Sequence, residues 1–113
     1  MKVIIAGSRG IMDPSVVPQA ALQSGFTVTE VVSGTAKGVD QLGEAWAALV
    51  GIPVRRFPAD WNRFGRSAGF RRNAEMAEYA DALIAIWDGA SRGTTHMIDL
   101  ARSKGLKVFV FQP

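Results

Sequence analysis

The residues best suited to chemistry lie between Asp88 and Thr95. An apolar run, Ala82 to Trp87, ends there, and a helical pattern with Met97, Ile98 and Ala101 on one face begins. Between them, Gly89 to Thr95 supplies two glycines, three hydroxyls and one guanidinium. A strand, a tight loop and a helix opening at Gly93-Thr94 make an anion site, because unpaired backbone N–H groups and the positive end of the helix dipole converge on the loop. Arg92 adds a forked donor matched to phosphate or carboxylate. Gly89, Ser91, Arg92, Gly93 and Thr94 are therefore candidate phosphate contacts, the plainer alternative being a capped turn with Arg92 in solvent.

Two further loops share this composition: Gly7-Ser8-Arg9-Gly10, and Ser33-Gly34-Thr35-Ala36-Lys37-Gly38. Ser8 and Arg9 offer polar contacts. Ser33, Thr35 and the glycines Gly7, Gly34 and Gly38 permit close backbone approach of a ligand, or simply a tight turn. Asp40 suits a ribose hydroxyl, or stabilises a helix N-terminus by its charge. Asp88 is the other carboxylate at the same edge, an acid, base or hydroxyl acceptor if it does not merely cap its loop. Arg72 and Asn73 follow a glycine-containing loop and join the set. Trp61 and Phe64, flanked by arginines, suit a nucleobase, although a hydrophobic lid or oligomer contact is the preferred reading. His96, inside a helical turn, reads as structural, Trp46 belongs to a core stripe, and Trp87 is core or pocket wall.

Several chemistries lack their signatures. Lys37 precedes Gly38 and no Lys-Ser/Thr pair follows, so there is no Walker A loop; the dinucleotide fingerprint is incomplete. There is no Gly-x-Ser-x-Gly elbow, and a single histidine makes a Ser-His-Asp triad a poor reading. With no cysteine, disulfides, thiolate metal sites and a cysteine nucleophile are excluded. A metal would have to rest on Asp40, Asp88, His96 and Asp99, whose spacing matches no metal pattern. No cofactor is implied.

The elements that must position these loops alternate. Strands are expected at Lys2–Ala6, Thr27–Val32, Val54–Phe57, Ala82–Trp87 and Lys107–Phe111. Helices are expected from Asp13-Pro14 as N-cap and first residue to Gln23, weakened at Pro18 and stopped at Gly25. A second carries Val39, Leu42, Trp46 and Leu49 on one face. A third spans about Ser67 to Tyr79, with Phe70, Ala74 and Ala77 inward, and the fourth follows Thr94. Ala59–Arg66 reads as a loop. Such alternation predicts one α/β domain over residues 1–113, a doubly wound, five-stranded, mainly parallel sheet with helices on both faces. Ligands of such sheets bind beyond the carboxyl ends of the strands, where the winding reverses.

The net charge is +3. Arg55, Arg56, Arg63, Arg66, Arg71 and Arg72 fall in one stretch opposed only by Asp60, which offers a site for single-stranded nucleic acid or a solvated basic surface. No apolar stretch approaches the about 20 residues of a membrane span, and the opening run is too short for a secretory segment. A cytoplasmic location without membrane association is expected.

The assembled pieces resemble the SLOG superfamily, in its YspA/cpYpsA-related branch. The matching residues are Ile4-Ile-Ala-Gly-Ser-Arg9, Val32-Ser-Gly-Thr-Ala-Lys-Gly-Val-Asp40, Gly65-Arg-Ser-Ala-Gly69 with Arg72-Asn-Ala-Glu-Met76, and Ala80 through Thr94. The resemblance implies a Rossmann-like sheet with a pocket for a nucleotide or nucleotide-derived ligand, for sensing or processing, and is compatible with a homodimer. The second motif is also similar to that of the DNA processing protein A family, which binds single-stranded DNA. The Lonely-Guy phosphoribohydrolases, which cleave the N-glycosidic bond of nucleoside 5′-monophosphates, have an Arg-Lys-x-x-Met motif similar to Arg72–Met76. Their second motif is similar to the loop ending Gly93-Thr94. Where they carry a glutamate three residues beyond that threonine, this chain has Met97, which cannot do acid–base work. Binding is thus favoured over turnover, with Asp88, Asp40 or Glu44 left to replace the glutamate and Arg72 carried over if hydrolysis occurs.

Overall fold

The computed structural model describes residues 1–113. Five strands, β1 (Lys2–Gly7), β2 (Glu30–Ser33), β3 (Val54–Arg56), β4 (Ala82–Ile86) and β5 (Lys107–Phe111), form one sheet in the order β3-β2-β1-β4-β5. Every pairing is parallel. The helices are α1 (Val16–Ser24), α2 (Val39–Val50), α3 (Trp61–Phe64, a single turn), α4 (Ala68–Tyr79) and α5 (Arg92–Ser103). No helix is long and apolar enough to cross a membrane.

The central strands are continuous apolar runs because both their faces are covered. Successive side chains point to opposite faces. Val3, Ile5, Ile84 and Ile86 therefore pack with Val16, Val17 and Ala20 of α1 and Val39 and Ala47 of α2. Ile4, Leu83 and Ala85 pack with Met76 and Ala77 of α4 and Met97, Ile98 and Ala101 of α5. The chain winds outward from β1 to β2 and β3, then crosses back to β4 on the other side of β1. The winding reverses between β1 and β4, and the fold is Rossmann-like.

Those two strands end in contact. A Cβ built on Gly7 would lie 2.0 Å from the carbonyl oxygen of Ile86. The Ser8 N–H donates to that same oxygen at 3.1 Å. Gly7, read from sequence as leaving room for a ligand, is required first by its neighbouring strand. Gly43 does the same for a helix: its Cβ would meet Ile5 Cγ2 at 2.9 Å, so α2 lies close on the sheet through a small residue.

That contact changes the expected face of α2. Its buried residues are Val39, Asp40, Gly43 and Ala47; Leu42 and Trp46 flank the core, while Leu49 is 87% exposed. α4 is turned likewise, burying Ala68, Asn73, Met76 and Ala77 and leaving Phe70 53% exposed. At α1 the helix starts at Val16 instead of Pro14, because Asp13 Oδ1 accepts the Ser15 N–H at 3.0 Å and its hydroxyl at 2.9 Å in a turn ahead of the helix. Pro18 falls in the first turn, where its missing N–H has no helical partner to lose, and Gly25 ends the helix at φ 72°. β2 begins only at Glu30 because Thr27 and Thr29 instead accept hydrogen bonds from the Met1 ammonium at 2.8 and 3.1 Å. Within the expected loop Ala59–Arg66, Asp60 caps α3 by accepting the Arg63 N–H at 3.0 Å.

Gly7→Ala is expected to lower stability by at least about 3 kcal/mol, since it drives a methyl group into backbone. Leu49→Lys is expected to change it by less than about 0.5 kcal/mol. Urea denaturation midpoints check both, and equal midpoints would show that the β1–β4 joint is looser than described.

Candidate functional site

Where the winding reverses, the loops after β1, β2 and β4 enclose a cleft of about 400 Å³ with the N-terminal parts of α4 and α5. Ala6, Gly7, Arg9 and Gly10 come from β1 and its loop, Ala36 and Asp40 from the loop after β2 and the start of α2. α4 contributes Arg72, Asn73 and Met76, and the β4–α5 segment contributes Asp88, Ser91, Gly93, Thr94 and Met97.

One wall is built on charge. Asp40 is 6% exposed, and its Oδ2 accepts the Ala36 N–H at 3.1 Å. Burial pushes its pKa up to about 6, against the opposing pull of the Ala36 N–H, Arg72 and Arg9; Glu44 adds to the rise. Arg72 Nη1 donates to the Gly34 carbonyl, and its Nε donates to Asn73 Oδ1 at 3.0 Å. Burial pulls Arg72 below the usual arginine value, Asp40 opposes that and Arg9 reinforces it, yet a guanidinium stays charged at neutral pH. Gly34 holds the two groups near one another: a Cβ there would lie 2.8 Å from Asp40 Oδ2 and 2.9 Å from Arg72 Nη1. Beyond Arg72, the buried Asn73 places Nδ2 3.1 Å from His96 Nδ1. The amide donates, so the imidazole accepts at Nδ1 and carries its proton on Nε2. Burial holds His96 below its ordinary pKa, with Asp99 opposing, which keeps that neutral form. The Phe70 ring lies 4.3 Å away from the imidazole, centroid to centroid.

The opposite wall differs from the expectation for a phosphate loop. Asp88 Oδ1 accepts the N–H groups of Ala90 at 2.8 Å and Ser91 at 2.9 Å. These bonds hold Asp88 below the usual carboxylate range. Ser91 caps α5, its Oγ accepting the Thr94 N–H at 3.5 Å and the Thr94 hydroxyl at 3.1 Å. The loop amides thus already serve a carboxylate and a hydroxyl of the protein, leaving the N–H groups of Arg92 and Gly93 as free donors. Arg92 is the exposed first residue of α5 and does not line the cleft.

Of the residues singled out from sequence, Gly7, Arg9, Asp40, Arg72, Asn73, Asp88, Ser91, Gly93 and Thr94 come together in the cleft. Gly34 and Thr35 line a smaller recess beside it. Five line neither. Ser8 is buried, with its Oγ accepting the Asp88 N–H at 3.0 Å. Ser33 is buried, donating to Glu44 Oε2 at 2.6 Å and accepting the Thr35 N–H at 3.1 Å. Gly38 joins two loops, its absent Cβ falling 2.6 Å from the Arg9 carbonyl oxygen. Gly89 turns the chain at φ 89°. Arg92 is the fifth. Glu44, bound to Ser33 and to Arg56 Nε at 2.8 Å, also stands outside. Sequence reading did not single out Ala6, Gly10, Ala36 and Met76 for the cleft. Met76 was in view as part of the Arg72 motif, whereas small residues such as Ala36 carry no chemical signal.

The arginine-rich stretch is dispersed. Arg55 lies over the rings of Phe57 and Tyr79, Arg56 pairs with Glu44, and Arg63 and Arg71 lie 4.9 and 4.3 Å from the Phe64 centroid. Of the six, only Arg72 enters the cleft.

Residues 1–64 match the family described as YspA, cpYpsA-related SLOG. Over 120 aligned residues the chain is 32% identical to the Gene 61 protein of Mycobacterium phage D29, covering 97% of this chain and 95% of that one. The family match contains the loops bearing Arg9 and Asp40; Arg72, Asp88 and α5 lie beyond it.

Asp40 makes stability depend on pH in a definite direction. Between 3.8 and about 6 the folded protein holds this proton more tightly than the unfolded chain does. The contribution of Asp40 to stability therefore falls as pH rises through that window, by about 3 kcal/mol. Asp40→Asn keeps an oxygen acceptor for Ala36. It is expected to match the native chain near pH 4 and exceed it by about 1–3 kcal/mol at pH 8, as read from urea midpoints. An unchanged difference between the two pH values would mean that the carboxylate is solvated.

Proposed function

The chain belongs to the YspA, cpYpsA-related SLOG family, and from that premise we propose that its cleft binds a phosphorylated, nucleotide-derived ligand for sensing rather than turnover. The observation carrying this reading is the pair Arg9 and Arg72 on one cleft wall at the winding reversal. Two guanidinium forks suit a phosphate dianion. Asp40 and Asp88, the Asn73 amide and the Thr94 hydroxyl suit sugar hydroxyls, and Met76 and Met97 give an adaptable apolar surface. The phosphate is assigned to this arginine wall in preference to the Arg92 loop, where Asp88 and Ser91 already engage the amides of Ala90, Ser91 and Thr94.

Hydrolysis of the Lonely-Guy kind lacks its carboxyl group: Met97 stands at the cleft where those enzymes carry glutamate, and a thioether has no proton to give. One observation favours a second reading. Asp40 faces the cleft with a pKa near 6, so a fraction is protonated at neutral pH and suits general-acid protonation of a leaving base. On that reading, water adds at C1′ as the N-glycosidic bond breaks and Asp40 protonates the departing base. Nucleoside monophosphates thus yield free base and ribose 5-phosphate, and Asp40→Asn abolishes the release. Chromatography after prolonged incubation at high protein concentration decides it, and intact nucleotide throughout retires the reading.

For binding, calorimetric titration with nucleoside mono- and diphosphates is expected to give saturable heats. Arg9→Ala and Arg72→Gln each weaken affinity about tenfold or more, while Arg92→Ala changes it less than threefold. Absence of binding to every phosphorylated nucleotide would overturn the proposal, and loss confined to Arg92→Ala would return the phosphate to the α5 loop.

A further inference from the structure

Beside the cleft lies a second recess of about 260 Å³ that shares Arg9, Ala36 and Arg72 with it. Its remaining wall includes Thr35, Pro58 and Trp61. Trp61 is the first residue of α3 and is 52% exposed. A Cβ on Gly69 would lie 3.4 Å from Trp61 Cη2 and 3.7 Å from Arg72 Nη2. Gly69 thereby leaves room for an indole and a guanidinium on one side of α4.

Two observations mark this recess as more than a dent between loops. First, the other aromatic rings between Phe57 and Phe64 are already engaged. Phe64 lies under Arg63 and Arg71, and Phe57 is against Tyr79 and Arg55, whereas no ring or cation stacks on Trp61. A large aromatic face is left in water beside two guanidinium groups. Second, Thr35 is the only residue other than glycine at positive φ, at 64°. A β-branched residue in that conformation is strained, and such strain collects at ligand sites.

Resting on the reading of the cleft as a nucleotide site, we propose that the recess is its base subsite: a nucleobase stacks on Trp61 while the phosphate sits against Arg9 and Arg72 on the shared wall. Stacking recognises the π-face of any base and strengthens with ring area, so purine nucleotides bind tighter than pyrimidine nucleotides. The reading of Trp61 as a lid or oligomer contact gives no such preference.

The test is a titration of the full chain and its Trp61→Ala, Trp61→Phe and Arg72→Gln variants with adenosine 5′-monophosphate and with ribose 5-phosphate, each variant's fold being checked by circular dichroism. Trp61→Ala is expected to lose about tenfold or more in affinity for the nucleotide and to leave that for ribose 5-phosphate unchanged. Trp61→Phe keeps most of the affinity but loses the quenching of tryptophan fluorescence that the nucleotide produces in the native chain. If Trp61→Ala binds the nucleotide as the native chain does while Arg72→Gln does not, the cleft stands and the base subsite is refuted. If the native chain binds neither compound nor any other phosphorylated nucleotide, the cleft reading itself fails and the subsite with it.

Discussion

The rim of this protein depends on a carboxylate and a guanidinium held close without direct pairing. Asp40 and Arg72 approach the same side of Gly34, where no side chain separates them, but the two ion pairs of the molecule lie elsewhere, at Arg56–Glu44 and Lys104–Glu78. Each group is anchored to backbone instead, Asp40 by the Ala36 N–H and Arg72 by the Gly34 carbonyl. Burial of a charge is costly unless it is compensated. The attraction between them offsets part of that cost and leaves hydrogen-bonding capacity on both for a third party. The same contacts tie α4, which starts on one face of the sheet, to the loop that opens α2 on the other.

Most of the fold was legible in the sequence because a doubly wound sheet leaves coarse marks. Ile4, Ile5 and Leu83 to Ile86 belong to uninterrupted apolar runs that only a strand covered on both faces accommodates. Glycines at 25, 51 and 105 close helices through positive φ. The helix faces were less legible. Periodicity weighs large side chains and so points Leu49 and Phe70 inward. The actual contacts run through Gly43, Ala47 and Asn73, whose burial depends on how near the helix comes to the sheet or on polar partners in distant elements.

The candidate site divides along the same line. Arg9 and Asp40 were identifiable because charge close to glycine after a strand is visible locally, and Arg72 through the motif it opens with Met76. The roles of Ser8, Ser33 and Gly38 were not, since each depends on another loop: Ser8 receives Asp88, Ser33 joins Glu44, and Gly38 lies against Arg9. Trp61 was visible as an aromatic among arginines, but its place beside Arg72 required the turn of α3 and the absence of a side chain at Gly69.

The Asp88 carboxylate occupies two amides, those of Ala90 and Ser91, in the turn that leads into α5. It is an intramolecular mimic of a negatively charged guest, carried by a single side chain on an exposed turn. Exchange of this one residue for glycine would leave the N–H groups of Ala90 and Ser91 without their acceptor. On the proposed reading of the arginine wall, a single substitution at Asp88 offers an anion a second place to sit, on the same scaffold.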